Sequence, residues 1–329
     1  MTAAPRSEPV ARPGIRRLFA ENPAVVLSLV FVGLFLITDI INRVQNGHAF
    51  LTPKQLSTTF LYAAVLGLIA AGQTLVMLTA GVDLSVATTA TAAAFTVSRF
   101  GSQGAATAIA LALGVGLVIG LVNGIGIAIF RVNGLIMTLG ISVITLGLLT
   151  VQAQKQFTEL VPDFVATVGS DRFFTYVPYD LLVWAPISAL IILGLRYSGI
   201  GRMIYAIGDN PVASRLAGVR VWQVQLFVYA ACGMLSALAG VLLVGFNNAA
   251  DLGIASPFLL PSVAAVVIGG TSIFGGFGGY VGTILGALIL TVLDSLLTIL
   301  NASQATRQIL YGLIVLALAA IYARVSSAE

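Results

Sequence analysis

The chain has 329 residues, of which 58% are hydrophobic and only 9% charged, and its mean hydropathy is +1.03. A soluble domain carries about a quarter charged residues, so this composition excludes a soluble enzyme and describes a polytopic membrane protein. The net charge of +4 is that of positive loops beside a membrane and does not indicate nucleic-acid binding.

A spanning helix needs about 20 apolar residues, which leaves room for roughly ten spans and no sizeable soluble domain. Residues 1–20 read as a basic, proline-containing tail, followed by a membrane domain over 21–325. Arg12, Arg16 and Arg17 precede a first apolar run, 24–41, which is too long for the core of a cleavable signal and reads as an uncleaved span. A polar link, 42–53, leads to span two, 57–80, which ends in TAGVDLS. Span three covers 84–98, and a polar turn, 99–104, leads to span four, 106–129. A turn at 131–134 precedes span five, 135–152. The segment 153–178 is a long polar loop carrying Lys155, Glu159, Asp163, Asp171 and Arg172. Span six is 179–195, a second long polar loop is 196–222, and span seven is 223–246. Asn247, Asn248 and Asp251 lie before span eight, 259–270. A glycine-rich turn, 269–279, joins it to span nine, 280–300, and span ten is 308–323.

With the N-terminus inside, 10 of the 16 Lys and Arg residues fall on the inner side and 6 on the outer. Positive charge favours the cytoplasmic side, so both termini and the loop 196–222 are expected in the cytoplasm.

Few residues can carry chemistry. His48 has no partner cluster, Cys232 is alone in an apolar run, and there is no metal-ligand spacing and no phosphate-binding GxxxxGK[ST]. The chain is therefore expected to hold no cofactor of its own. Two acids fall at membrane depth, where charges usually face protein or water. Asp83 with Ser85 suits a cap at a broken helix, and a solute or ion role is the alternative. Asp294 suits a helix-packing hydrogen bond, with a proton relay as the alternative. Neither acid has an evident basic partner in a neighbouring span. Gln73, Thr74, Thr79, Asn123, Thr138 and Ser142 are polar groups on apolar helices, serving either as interhelical hydrogen bonds or as the lining of a polar route. Phe246 and Phe258 read as interface anchors.

The stretch 208–218, GDNPVASRLAG, stands out as a polar helix signal between two spans. Asp209 or Asn210 can cap it, Pro211 suits its first position, and Gly218 ends it. Such a helix is either a surface hairpin or something a partner grips.

Three blocks decide this by resemblance: AAGQTLVMLTAGVDLSVA (70–87), GRMIYAIGDNPVASRLAGV (201–219) and SVAAVVIGGTSIFGGFGGYVGTILGALIL (262–290). Together they resemble permease subunits of bacterial ABC importers of the ribose/xylose/arabinose type, related to branched-chain amino acid and cobalamin permeases. The chain departs from the family pattern at Asp209, Ala87 and Leu260-Pro261. The resemblance implies an all-α, cobalamin-permease-like (type II importer) arrangement of about ten spans in the bacterial inner membrane. It implies ATP-binding subunits, which would hold ATP and Mg, a second permease copy or paralogue, and a periplasmic solute-binding protein. On that match Gly208, Asp209, Asn210, Ala213, Ser214, Arg215, Leu216 and Gly218 form the segment that docks on the ATPase. The candidate pathway residues are Gln73, Thr74, Asp83, Ser85, Asn123 and Thr138. A sugar leads as the solute, with nucleoside, autoinducer-like and amino-acid solutes behind it. An ion-coupled transporter using Asp83 and Asp294 is the competing class.

Overall fold

The computed structural model describes residues 23–154, 160–173 and 177–326. The expected tail, 1–20, and Lys155 and Glu159 of the first long loop lie outside the described residues. The regular structure of the described residues is helical apart from a two-residue antiparallel pair, β1 (Arg172–Phe173) and β2 (Val177–Pro178).

Helix α1 is Pro23–Asn46 and α2 is Pro53–Leu78. The start of α2 follows from Thr52-Pro53: the Thr52 hydroxyl accepts from Gln55 N at 3.3 Å, and Pro53 has no N–H to satisfy at the first position. Helix α3 is Val86–Phe100, α4 is Ala105–Ala128 and α5 is Gly134–Ala153. Asn133 caps α5 by accepting from Leu135 N and Ile136 N. The loop expected at 153–178 contains a further helix, α6 (Asp163–Ser170), against the end of α10. Helix α7 is Tyr179–Tyr197, with Pro186 inside it.

The second long loop is mostly helical too. Helix α8 is Gly199–Asp209 and α9 is Pro211–Leu216. Then come α10 (Val221–Asn247), α11 (Leu259–Ile268), α12 (Tyr280–Ile299) and α13 (Gln304–Ser326).

Seven of the described helices, α1, α2, α4, α5, α7, α10 and α12, are long and apolar enough to cross a membrane. The expected third and eighth spans are shorter. Helices α3 and α11 have 15 and 10 residues, which at about 1.5 Å per residue do not cross a hydrocarbon core of about 30 Å. Both adjoin an irregular turn, 79–85 before α3 and 269–279 after α11, which breaks the helical path beside a full-length neighbour, α2 or α12. Backbone of this kind is tolerated at membrane depth only where protein surrounds it.

Helices α2 and α10 form the buried centre. Lipid offers no hydrophobic drive for helices to associate, so close backbone approach must do it. The α4–α10 contact shows how: a Cβ on Gly116 would lie 2.4 Å from Gly233 O, and one on Gly233 would lie 2.2 Å from Gly116 O. A polar tie crosses the centre as well. Trp184 Nε1 donates to Tyr280 Oη at 2.8 Å, and that hydroxyl donates to Gly67 O at 2.9 Å, joining α7, α12 and α2.

Candidate functional site

Five of the six candidate pathway residues meet around the turn that links α2 to α3. The Gln73 amide brackets the turn's backbone, donating to Asp83 O at 2.6 Å and accepting from Asp83 N at 3.2 Å. The Asp83 carboxylate accepts from Ser85 N at 2.7 Å and from Ser85 Oγ at 2.6 Å. Asn123 of α4 donates to Ser85 Oγ at 2.8 Å. Thr138 of α5 accepts from Leu84 N at 3.1 Å and donates to Gly134 O at 2.9 Å. Thr74 lies on another side of α2, pairing with Thr283 of α12 at 2.9 Å. All six are buried. What five of them build is a polar knot that satisfies the backbone around the start of α3 and leaves one buried acceptor, Asn123 Oδ1, without a hydrogen-bond partner among the described residues. Asp83 grips Ser85, the residue before α3, and makes no bond to the first turn of α3 itself.

Ser142 joins the rim of the knot, accepting from Thr88 Oγ1 at 3.2 Å. Thr79 bonds only its own helix end, at Val76 O.

The polar stretch 208–218 divides into two parts. Gly208 and Asp209 close α8, so Asn210 alone is the cap of α9, accepting from Val212 N and Ala213 N, both at 2.9 Å. Pro211 takes the first helical position, and Gly218 stops the helix at φ +87°. Ser214 is buried and donates to Ala206 O at 2.8 Å, fastening α9 onto α8. Leu216 projects outward, 86% exposed. Arg215 is exposed, with its Nε directed at Pro211 O.

Helix α8 is the piece that the sequence did not reveal, and it connects α9 to the bundle. A Cβ on Gly208 would lie 1.9 Å from Leu78 O and 2.3 Å from Gly276 N. Gly276 N itself donates to Leu78 O at 3.1 Å. Tyr205 Oη donates to Gly278 O at 2.9 Å, and burial raises this phenol above its ordinary pKa. Thus α8 rests on the end of α2 and on the glycine-rich turn 275–278. Only a residue without a Cβ permits that contact at Gly208.

Asp294 corrects one expectation. It does have a basic partner: Arg307, near the start of α13, donates from Nη1 to both carboxylate oxygens at 3.2 Å. Tyr311 Oη adds a third bond at 2.9 Å. The acid sits at the end of the bundle opposite α9, where α12 finishes. Phe246 and Phe258 lie at the same end, both packed against the Tyr62 ring.

A family described as branched-chain amino acid transport system / permease component matches residues 55–319. The chain is 35% identical over 274 residues to the ribose import permease protein RbsC of Escherichia coli (strain K12), covering 81% of this chain and 85% of that one. It is 31% identical over 313 residues to the fructose import permease protein FrcC of Rhizobium meliloti, covering 90% and 82%. It is 30% identical over 290 residues to the autoinducer 2 import system permease protein LsrC of Yersinia enterocolitica, covering 88% and 79%. No solved structure matches the chain.

Proposed function

The chain belongs to the branched-chain amino acid transport system / permease component family, and from that premise we propose that it is the membrane-spanning subunit of an ATP-driven importer, taking up a sugar or a similar small polar solute. The observation that carries this reading is the extent of the match. It runs from the start of α2 into α13, and so includes both irregular turns and the α8–α9 arm. The ribose, fructose and autoinducer 2 import permeases among its relatives put a sugar first. Nucleoside and amino-acid solutes stand behind it.

In this reading the body 21–325 sits in the bacterial inner membrane with both termini and α9 in the cytoplasm. It pairs with a second permease, either another copy or a paralogue. A periplasmic binding protein delivers the solute, and ATP with Mg is bound and hydrolysed on separate subunits. Segment 208–218 docks on the ATPase through α9. Its exposed Leu216 and Arg215 supply the contact, and Asn210 and Gly218 fix its two ends.

Coupling then has a physical route. Closure of the ATPase pair displaces α9, and the Ser214–Ala206 bond carries the displacement to α8. Through Gly208, α8 bears on Leu78 and Gly276, which lie at the turns that follow α2 and α11. Interfaces packed this tightly shift between discrete arrangements and do not deform continuously.

The test is ATP-driven uptake of radiolabelled ribose and fructose by proteoliposomes holding this chain with its ATPase and binding protein. Arg215→Glu and Gly218→Asp are expected to cut the uptake rate at least about tenfold, a change of about 1.4 kcal/mol in barrier, with membrane insertion unchanged. Uptake unaffected by both substitutions removes the docking assignment.

A further inference from the structure

At the end of the bundle opposite α9, two cavities meet. One, of about 520 Å³, is polar, with Asn42, His48, Gln55, Thr58 and Asn301 in its wall. The other, of about 260 Å³, is walled by Leu66, Phe258 and Leu290, with Asn247 and Gln304 as polar members. Tyr62, Asp294 and Ser295 line both, so a molecule moving from the first cavity to the second passes between them.

The junction offers two kinds of surface. Tyr62 and Phe258 stack with centroids 6.2 Å apart and an interplanar angle of 22°, and Phe246 braces Tyr62 edge-on at 5.7 Å. This makes a rigid aromatic wall. Across from it the Asp294 side chain is 46% exposed, whereas that of its partner Arg307 is only 16% exposed. A carboxylate has about four lone-pair sites. Arg307 and Tyr311 supply three hydrogen bonds, so acceptor capacity remains on the side facing the cavity.

The chemistry selects a class of solute. The one acid of the two cavities is balanced by the arginine bonded to it, and the other named polar groups are amides, hydroxyls and an imidazole. A cation meets a carboxylate that already has its counter-charge, and an anion meets a guanidinium that lines the first cavity but is mostly buried and already bonded to Asp294 and to Ala302 O. A neutral solute with many hydroxyls suits both walls, its C–H face on the rings and its hydroxyls on Asp294 and the amides. Apolar walls with a few placed polar groups are the usual form of a small-molecule site, and about 260 Å³ is just under the usual range for drug-sized ligands.

We infer that the junction of Tyr62, Phe258, Asp294 and Ser295 is a solute subsite on the entry path and that it takes a neutral polyhydroxylated molecule. This rests on the importer reading above and adds to it the place where the solute is held.

The experiment uses the full complex in proteoliposomes, with radiolabelled D-ribose, D-fructose and L-leucine as probes. Wild type is expected to take up at least one of the sugars in preference to leucine. Tyr62→Ala and Phe258→Ala are each expected to raise its KM about fivefold with little change in maximal rate, as for an aromatic contact of about 1 kcal/mol. Tyr62→Phe, which keeps the ring, stays within about twofold of wild type. Sugar uptake with KM unchanged in both alanine variants overturns the subsite and leaves the importer reading standing. Preference for leucine, or no ATP-driven sugar uptake by wild type, overturns both. Should the alanine variants fail to insert, Ser295→Cys in a Cys232→Ala background reads the same point. A membrane-impermeant thiol reagent modifies it, and the transported sugar slows the reaction. A thiol that stays unreactive overturns the subsite.

Discussion

Asp83 and Asp294 both interrupt apolar sequence at membrane depth, yet their surroundings have little in common. Asp83 is enclosed: Gln73 holds its backbone from both sides, Ser85 holds its carboxylate, and Asn123 holds Ser85. Asp294 is paired with Arg307 and Tyr311 but still faces two cavities. In lipid, an irregular turn has no water to satisfy its backbone, so polar side chains must do it. The polar groups near Asp83, Asn123 Oδ1 excepted, are therefore occupied in keeping a broken helix folded. Those near Asp294 lie where the bundle opens, and have capacity left for a solute. A polar residue in a transporter is thus informative about transport only once its hydrogen bonds have been counted.

Changes at the closed end are expected to cost the most. Gly208→Val is the most severe, because its Cβ would lie 1.9 Å from Leu78 O and 2.3 Å from Gly276 N, both backbone atoms. Overpacking costs about 1–3 kcal/mol where side chains can move, and backbone cannot move so cheaply. The expected result is loss of most folded protein from detergent extracts, read by size-exclusion chromatography. A monodisperse variant of wild-type thermal stability would show that α8 does not bear on α2 as described. Next comes Asp83→Ala, which leaves Ser85 N–H and Oγ–H buried without their acceptor, at about 1–3 kcal/mol for each unsatisfied group. Asp83→Asn keeps an oxygen in place and should stay within about 1 kcal/mol of wild type. Thermal unfolding in detergent separates the two. Uptake by Asp83→Asn makes the comparison sharper still: a structural acceptor tolerates the amide, whereas a proton relay does not.

Much of the fold was legible because punctuation in the sequence is local. Thr52-Pro53 starts α2, Asn133-Gly134 starts α5, and Asn210-Pro211 starts α9, each through a cap that acts within three residues. Other features were not legible because their causes lie far apart in the chain. Nothing local says that Gly208 must meet Leu78 and Gly276, so its segment read as polar linker and α8 was missed. The exact start of α3, at residue 86 where the sequence reads 84, was not legible either, since it is set by Asp83, Gln73 and Asn123 acting from three directions. The candidate pathway residues were identifiable as buried polar groups, but hydrogen bonds from other helices decide what those groups are used for. The pairing of Arg307 with Asp294 was not legible because the two lie thirteen residues apart, on opposite sides of the turn between α12 and α13.

The smallest stability effect belongs to the open end, and it bears most directly on the contrast. Asp294→Asn removes one charge from an ion pair whose carboxylate side is 46% exposed. Exposed pairs contribute about 0–1 kcal/mol, because water screens the attraction and the ordered side chains lose entropy. The amide oxygen can still accept from Arg307 or Tyr311, so thermal stability should fall by less than about 1 kcal/mol. The loss should also shrink as salt is raised, since exposed pairs are screened over about 8–10 Å at moderate ionic strength. Arg307→Ala is a less gentle change than its charge suggests. Its guanidinium is only 16% exposed and also donates to Ala302 O at 3.2 Å, so its removal leaves the turn between α12 and α13 without that bond. If Asp294→Asn destabilised the protein as much as Asp83→Ala, both acids would be structural and the contrast between the two ends would disappear. If it leaves stability intact and changes solute handling, the two carboxylates have separate uses, one holding the broken helix and the other meeting what passes it.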